Sequence, residues 1–114
     1  MLKVYHHPRC STCKKALSFL KKNSVSHTAI DLTEQSPTKS ELSKMLSLIE
    51  PAKIFNTSGK RYRELNIKEQ RETMTKSQIA ELLADEPMLI KRPFLLTKDF
   101  GLVGFKENEW KSLL

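Results

Sequence analysis

Cys10-Ser11-Thr12-Cys13, preceded by Leu2-Lys3-Val4-Tyr5 and followed by Lys14-Lys15-Ala16-Leu17-Ser18-Phe19-Leu20, is the stretch on which the fold turns. The apolar alternation before it has the period of a short strand, and Pro8-Arg9 supplies a tight turn. Ala16, Leu17 and Leu20 then fall on one face of a helix. Both cysteines are therefore expected in the first helical turn, on one side and close enough to bridge. The unsatisfied N–H groups and positive dipole end of a helix favour an anion there. Arg9, Lys14 and Lys15 add positive charge, and a second thiol at Cys13 can donate a hydrogen bond to a thiolate. Such surroundings make a cysteine an attacking nucleophile near neutral pH, and Cys10 takes that role. Cys13 lies deeper in the helix and is the resolving thiol of a thiol–disulfide site.

Two alternative roles for the pair compete with this one. A structural zinc site needs four ligands, and His6, His7 and His27 could in principle join the cysteines. No second Cys-x2-Cys and no His-x3-5-His pair accompanies them, so no metal is expected. The pair could also be inert and buried at a strand–helix junction, since reduced Cys is among the most buried residue types. The redox role has the context in its favour, because the motif opens a helix directly after a strand. An oxyanion loop of Cys, five residues and Arg is absent: Ala16 follows Cys10 at that spacing, and Phe19 follows Cys13.

At 114 residues the chain is expected to form a single domain, 1–114, large enough for a core without staples. Its 39% hydrophobic and 29% charged residues are those of a soluble globular protein. No apolar run approaches the span of a bilayer, and Lys3 interrupts any leader-like start. With both cysteines in one motif there is no disulfide framework. A cytoplasmic monomer is expected, its cysteine pair reduced at rest and oxidised transiently. The net charge of +7 raises nucleic acid as a partner. Yet the basic residues come as scattered pairs, Lys14-Lys15, Lys21-Lys22, Lys60-Arg61 and Lys91-Arg92, without an aromatic platform or zinc-finger spacing. Direct nucleic-acid binding is not expected, and an acidic protein partner or an anionic substrate suits the charge as well.

Beyond the first helix, residues 25–32 alternate as a second strand, which makes a βαβ unit with parallel strands. Thr38 with Glu41 and Thr75 with Gln78 are capping boxes. The first opens a helix with Leu42, Met45, Leu46 and Ile49 inward and is ended by Pro51. The second opens one with Ile79, Leu82 and Leu83 inward. Between them Asn56-Thr57-Ser58-Gly59 is a turn, followed by a short helix over 62–65. Residues 88–93 are expected to run extended into a strand at 94–97, with a hairpin partner at 102–105. A closing helix presents Trp110, Leu113 and Leu114 on one side.

This order resembles the thioredoxin fold: an α/β chain of a βαβ unit and a ββα unit over a mixed four-stranded sheet. More narrowly it is similar to the ArsC/Spx family, which includes arsenate reductases and Spx/MgsR-type regulators. The stretches that carry the likeness are Cys10 to Ala16, Asn56-Thr57-Ser58-Gly59-Lys60-Arg61-Tyr62-Arg63-Glu64-Leu65, and Met88-Leu89-Ile90-Lys91-Arg92-Pro93 with Val103-Gly104-Phe105. The family implies a core over about 1–35 and 86–114 and a helical insertion over about 36–85. It implies that Pro93 is the cis-proline beside the active-site cysteine and that Arg92 faces the nucleophile. A guanidinium there would stabilise the thiolate and grip an oxyanion or carboxylate with two prongs. Cys10, Cys13 and Arg92 are thus the candidate catalytic residues, and Arg9, Ser11, Thr12, Lys14 and Pro93 the candidate substrate contacts.

The family's arsenate reductases use two further arginines, which align near Asn56 and Gly104 here, neither of them basic; Arg61 or Arg63 are candidate replacements. Those reductases also carry one cysteine in this loop, whereas this chain supplies Cys13. The resemblance implies no bound cofactor, with glutathione, thioredoxin or glutaredoxin as reductant. For a Spx-like regulator it implies the RNA polymerase α subunit as partner.

Overall fold

The computed structural model describes residues 2–114. It builds a mixed four-stranded sheet in the order β2-β1-β3-β4. These strands are β1 (Lys3–His6), β2 (Thr28–Asp31), β3 (Phe94–Leu96) and β4 (Gly101–Val103). β1 pairs β2 in parallel and β3 antiparallel, and β3 and β4 form the hairpin. The helices are α1 (Ser11–Lys22), α2 (Lys39–Leu48), α3 (Pro51–Ile54), α4 (Lys60–Glu64), α5 (Ile67–Gln70), α6 (Lys76–Asp85) and α7 (Glu107–Leu113).

Alternation along the strands sorts the core to two sides of the sheet. Val4, Leu95 and Leu102 pack with Ala16, Leu20 and Trp110, on the side of α1 and α7. Tyr5, Phe94 and Leu96 pack on the other side with Leu42, Met45, Leu46, Ile79 and Leu83 of the helices between β2 and β3. Tyr5 and Phe94 meet edge to face there, with centroids 5.8 Å apart. Both capping boxes form as the sequence predicts.

Glu41 does more than cap α2. Its carboxylate takes the Thr38 N–H at 3.0 Å, the Tyr5 hydroxyl at 2.7 Å and Lys3 Nζ at 3.0 Å, tying α2 to β1. Burial opposes its charge, but the Thr38 N–H, Tyr5 and Lys3 outweigh that and hold its pKa below the usual value. Tyr5 is driven the other way, by burial and then by its bond to the same carboxylate.

Several elements differ from the sequence expectation, each for a local reason. Cys10 is the N-cap of α1 rather than part of its first turn, with extended backbone at φ −94° and ψ 112°. β2 begins at Thr28 instead of residue 25, because α1 ends in a Schellman motif. Ser24 adopts φ 55°, its N–H bonds Lys21 O, and the Val25 N–H returns to Leu20 O at 2.9 Å. Pro51 opens α3 as its first residue, whereas α2 has already stopped at Leu48. The segment expected to run extended from residue 88 starts with a 3-10 turn at Pro87–Leu89, and Ile90 then bridges Phe55. β3 stops at Leu96 because the Thr97 hydroxyl accepts the Asp99 and Phe100 N–H groups to make the turn. β4 stops at Val103 because Gly104 takes φ 71° and donates its N–H to Pro93 O. In α7 only Trp110 turns inward, and Leu113 and Leu114 remain 48% and 40% exposed.

Trp110 is fully buried, packs against Phe19 and Phe105, and donates its indole N–H to Gly104 O at 3.2 Å. Trp110→Ala is expected to lower the unfolding free energy by about 3–5 kcal/mol in denaturant titration. Glu41, with its folded pKa depressed, contributes stability above the unfolded carboxylate pKa, and that contribution is lost as pH falls through the folded value. Urea titrations should therefore find Glu41→Gln less stable than the parent at pH 7, with the gap closing toward about pH 3.

Candidate active site

The turn after β1 is short and self-bonded. The Arg9 N–H donates to His7 Nδ1 at 3.0 Å, and the Cys10 N–H donates to His7 O at 3.1 Å. This sets Cys10 at the head of α1, where its Sγ accepts the Cys13 N–H at 3.1 Å. Sulfur thereby does the work of a serine or aspartate cap, satisfying one of the helix's free donors. No acidic residue stands in the first turn of α1.

The two cysteines have opposite environments, and both are free. Cys10 is half-buried and lines an open cleft, whereas Cys13 is 1% exposed beneath it. Burial pushes the Cys13 thiol up to about 12, with its hydrogen bond to Cys10 and the Cys10 charge acting in the same direction. A backbone bond from His7 and the charge of Arg92 pull the other way.

The cleft has a volume of about 380 Å³, and Arg9, Cys10, Ser11, Thr12 and Arg92 all line it. Arg92 arrives from the segment before β3, followed by a cis peptide to the buried Pro93. Its Nη1 donates a long hydrogen bond of 3.5 Å to Met88 O, and the residue lines the cleft. Pro93 supports this wall from behind, accepting the Gly104 N–H at 2.9 Å. Lys14 is not brought in. It faces a different hollow between α1 and α7.

Two cleft residues were not expected from the sequence, His7 and Lys91, and Asn56, one of the positions aligned with the reductases' arginines, lines it as well. His7 is kept below its ordinary pKa by burial, then by Arg92, with Arg9 and His6 adding to this and Asp31 opposing. Asn56 reaches the cleft because its N–H bonds Leu89 O at 2.7 Å, docking the 56–59 turn beside the Lys91-Arg92 segment. Lys91 passes Gly104 so closely that a β-carbon there would sit 3.5 Å from its Cε. It thus puts a cation beside one of the two positions that lack the expected arginine. Arg61 and Arg63 do not substitute, since Arg61 is held by Glu86 at 2.6 Å and Arg63 donates to Ser58 O. The signal for Lys91 was its adjacency to Arg92, but only the turn before β3 aims both side chains into one cleft.

Among the described residues, no cluster of His, Cys, Asp and Glu could hold a metal ion. No helix among them is long and apolar enough to cross a membrane.

Comparison with known proteins places these features. The ArsC family model matches residues 5–113. The uncharacterized protein YusI of Bacillus subtilis is 41% identical over 113 residues, covering 97% of this chain and 96% of that protein. The regulatory protein MgsR of Bacillus subtilis is 30% identical over 114 residues, covering 98% and 89%. The crystal structure of a possible arsenate reductase from Streptococcus mutans superposes with a TM-score of 0.89 at 34% identity, covering 97% of this chain and 98% of that one. The match runs from β1 through α7, and the chain belongs to the ArsC family, sharing its thioredoxin-like architecture.

Proposed function

We propose that this chain is a thiol–disulfide oxidoreductase in which Cys10 attacks and Cys13 resolves. The observation that carries the reading is the contrast between the two thiols. Cys10 caps a helix at an open cationic cleft, and Cys13 is buried one turn below with its pKa pushed up to about 12. The Cys10 thiolate attacks one sulfur of a substrate disulfide, that S–S bond breaks, and the departing sulfur leaves as a thiolate. The mixed disulfide removes the negative charge at Cys10, and with it part of what keeps Cys13 protonated. Cys13 then loses its proton to solvent and attacks Cys10 Sγ. The Cys10–Cys13 disulfide forms and the second substrate sulfur leaves. Arg92 and the α1 N-terminus stabilise the anion, Arg9, Ser11 and Thr12 border the bound substrate, and Pro93 shapes the wall. Glutathione, thioredoxin or glutaredoxin returns the pair to dithiol by the reverse exchange, in the cytoplasm where such a pair stays reduced at rest.

Two narrower readings have specific support. Arsenate is favoured as a substrate by the likeness to a possible arsenate reductase and by Lys91, which adds a further cation to the cleft beside Arg92. A redox-sensing regulator, in which the same disulfide alters binding to the RNA polymerase α subunit, is favoured by the likeness to the regulatory protein MgsR. Arsenate turnover with glutathione and glutaredoxin that disappears in Cys10→Ser supports the first. Capture of the α subunit that depends on oxidation supports the second.

At pH 7, iodoacetamide should alkylate Cys10 at least about tenfold faster than Cys13, read by mass spectrometry of the modified peptides. Equal rates would remove the basis of the mechanism. With oxidised glutathione, Cys13→Ser should accumulate a mixed disulfide at Cys10 and Cys10→Ser should form none. Arg92→Gln should slow attack by about tenfold at pH 7.

A further inference from the structure

α1 and α7 enclose a groove of about 780 Å³ with Lys14, Lys15, Lys22 and Lys111 on its rim. All four lysines are exposed, and none takes part in a salt bridge among the described residues. The groove also holds Phe19 and Phe105, both partly exposed and packed together with centroids 5.6 Å apart. Glu107 is the acidic residue that lines it. At one end the Lys14 N–H bonds Cys10 O at 3.1 Å, so the groove starts one turn along α1 from Cys10. From Lys14 to Lys22 it follows α1 for about 12 Å, the reach of an extended segment of about four residues.

We propose that this groove docks an acidic segment of a partner protein, anchored by an apolar side chain, and so presents that partner's sulfur to Cys10. The role of the sulfur rests on the thiol–disulfide reading above, whereas the docking itself does not. Charge complementarity selects the occupant, since the lysine rim is unpaired and surrounds an aromatic floor. Single-stranded nucleic acid needs free ring faces for successive bases. Phe19 and Phe105 instead turn into each other and into Trp110, with interplanar angles of 57°, 83° and 84°. What they leave accessible suits one apolar side chain of a peptide. Docking of this kind assigns Lys14 to partner recognition, where the sequence had placed it on the substrate.

The test uses a peptide with a cysteine followed by glutamates around one phenylalanine, and a second peptide with lysines in place of the glutamates. Each cysteine is carried as a mixed disulfide with thionitrobenzoate. Attack by Cys10 forms the Cys10–peptide disulfide and expels thionitrobenzoate as its coloured thiolate. At low salt the acidic peptide should react at least about tenfold faster than the basic one, and added salt should shrink the preference. Lys22→Glu with Lys111→Glu should abolish the preference, whereas Lys68→Glu with Lys76→Glu, the same change in charge elsewhere, should retain most of it. A cysteine-free acidic peptide should shift the NMR signals of Lys22, Phe105 and Lys111. Equal loss in the two double variants would overturn the proposal, as would shifts at these residues caused by a twelve-thymidine oligonucleotide and not by the peptide. Iodoacetamide labelling of Cys10 in the same samples reports separately on the thiol, so a failed groove and a failed thiol mechanism give different results.

Discussion

The antiparallel pairing of Tyr5 with Phe94 is the constraint from which the site follows. In an antiparallel pair, the residues that leave one strand lie beside those that enter the other. The turn after β1 carries His7, Arg9 and Cys10, and the segment before β3 carries Lys91, Arg92 and Pro93. One register therefore brings together groups more than eighty positions apart. The same pairing sets Tyr5 and Phe94 edge to face within the core, so the register of the two strands is held by packed side chains. The parallel neighbour β2 then requires a crossover, and α1 is that crossover, with its N-terminus at the same end of the sheet.

The helices between β2 and β3 belong to this arrangement as much as the strands do. Their apolar side chains share one cluster with Tyr5, Phe94 and Leu96. Glu41 joins the two parts with a charge held by three donors, a contact worth more than a surface ion pair because its carboxylate is only 15% exposed. The Phe55–Ile90 bridge and the bond from the Asn56 N–H to Leu89 O carry the 56–59 turn to the cleft. The helices between β2 and β3 and the sheet thus meet at the cleft that Cys10 lines.

The positive charge is distributed in a way that neither a solvated surface nor a single stripe describes. Part of it is neutralised, as at Lys3 with Glu41 and Arg61 with Glu86. Part converges on Cys10 from Arg9, Lys91 and Arg92, and another part lines the α1–α7 groove. Two of the basic pairs of the sequence stay together, Lys91-Arg92 at the cleft and Lys14-Lys15 at the groove, whereas Lys21 and Lys22 line different hollows. Lys14 follows Cys10 by one turn of α1, so the groove it lines succeeds the cleft along the helix.

The order of elements, the two capping boxes, the mixed pairing of the strands and the cysteine pair at a helix start were legible in the sequence, because each is a local pattern of period, cap or turn residue. Arg92 and Pro93 were placed near Cys10 only through a family resemblance. The burial of Cys13, the positions of His7 and Lys91 in the cleft, and the removal of Lys14, Arg61 and Arg63 from it were not legible. Each depends on which direction a side chain takes once the strands are in register and on what it meets there. The same holds at the element ends: the Schellman motif at Ser24, the Thr97 turn and Gly104 at φ 71° replaced strand residues with hydrogen bonds that no periodicity encodes. Local sequence determined which segments form and which groups are chemically capable. Tertiary structure decided which of those groups face one another, because distance and burial are properties of the packed chain and not of its spacing.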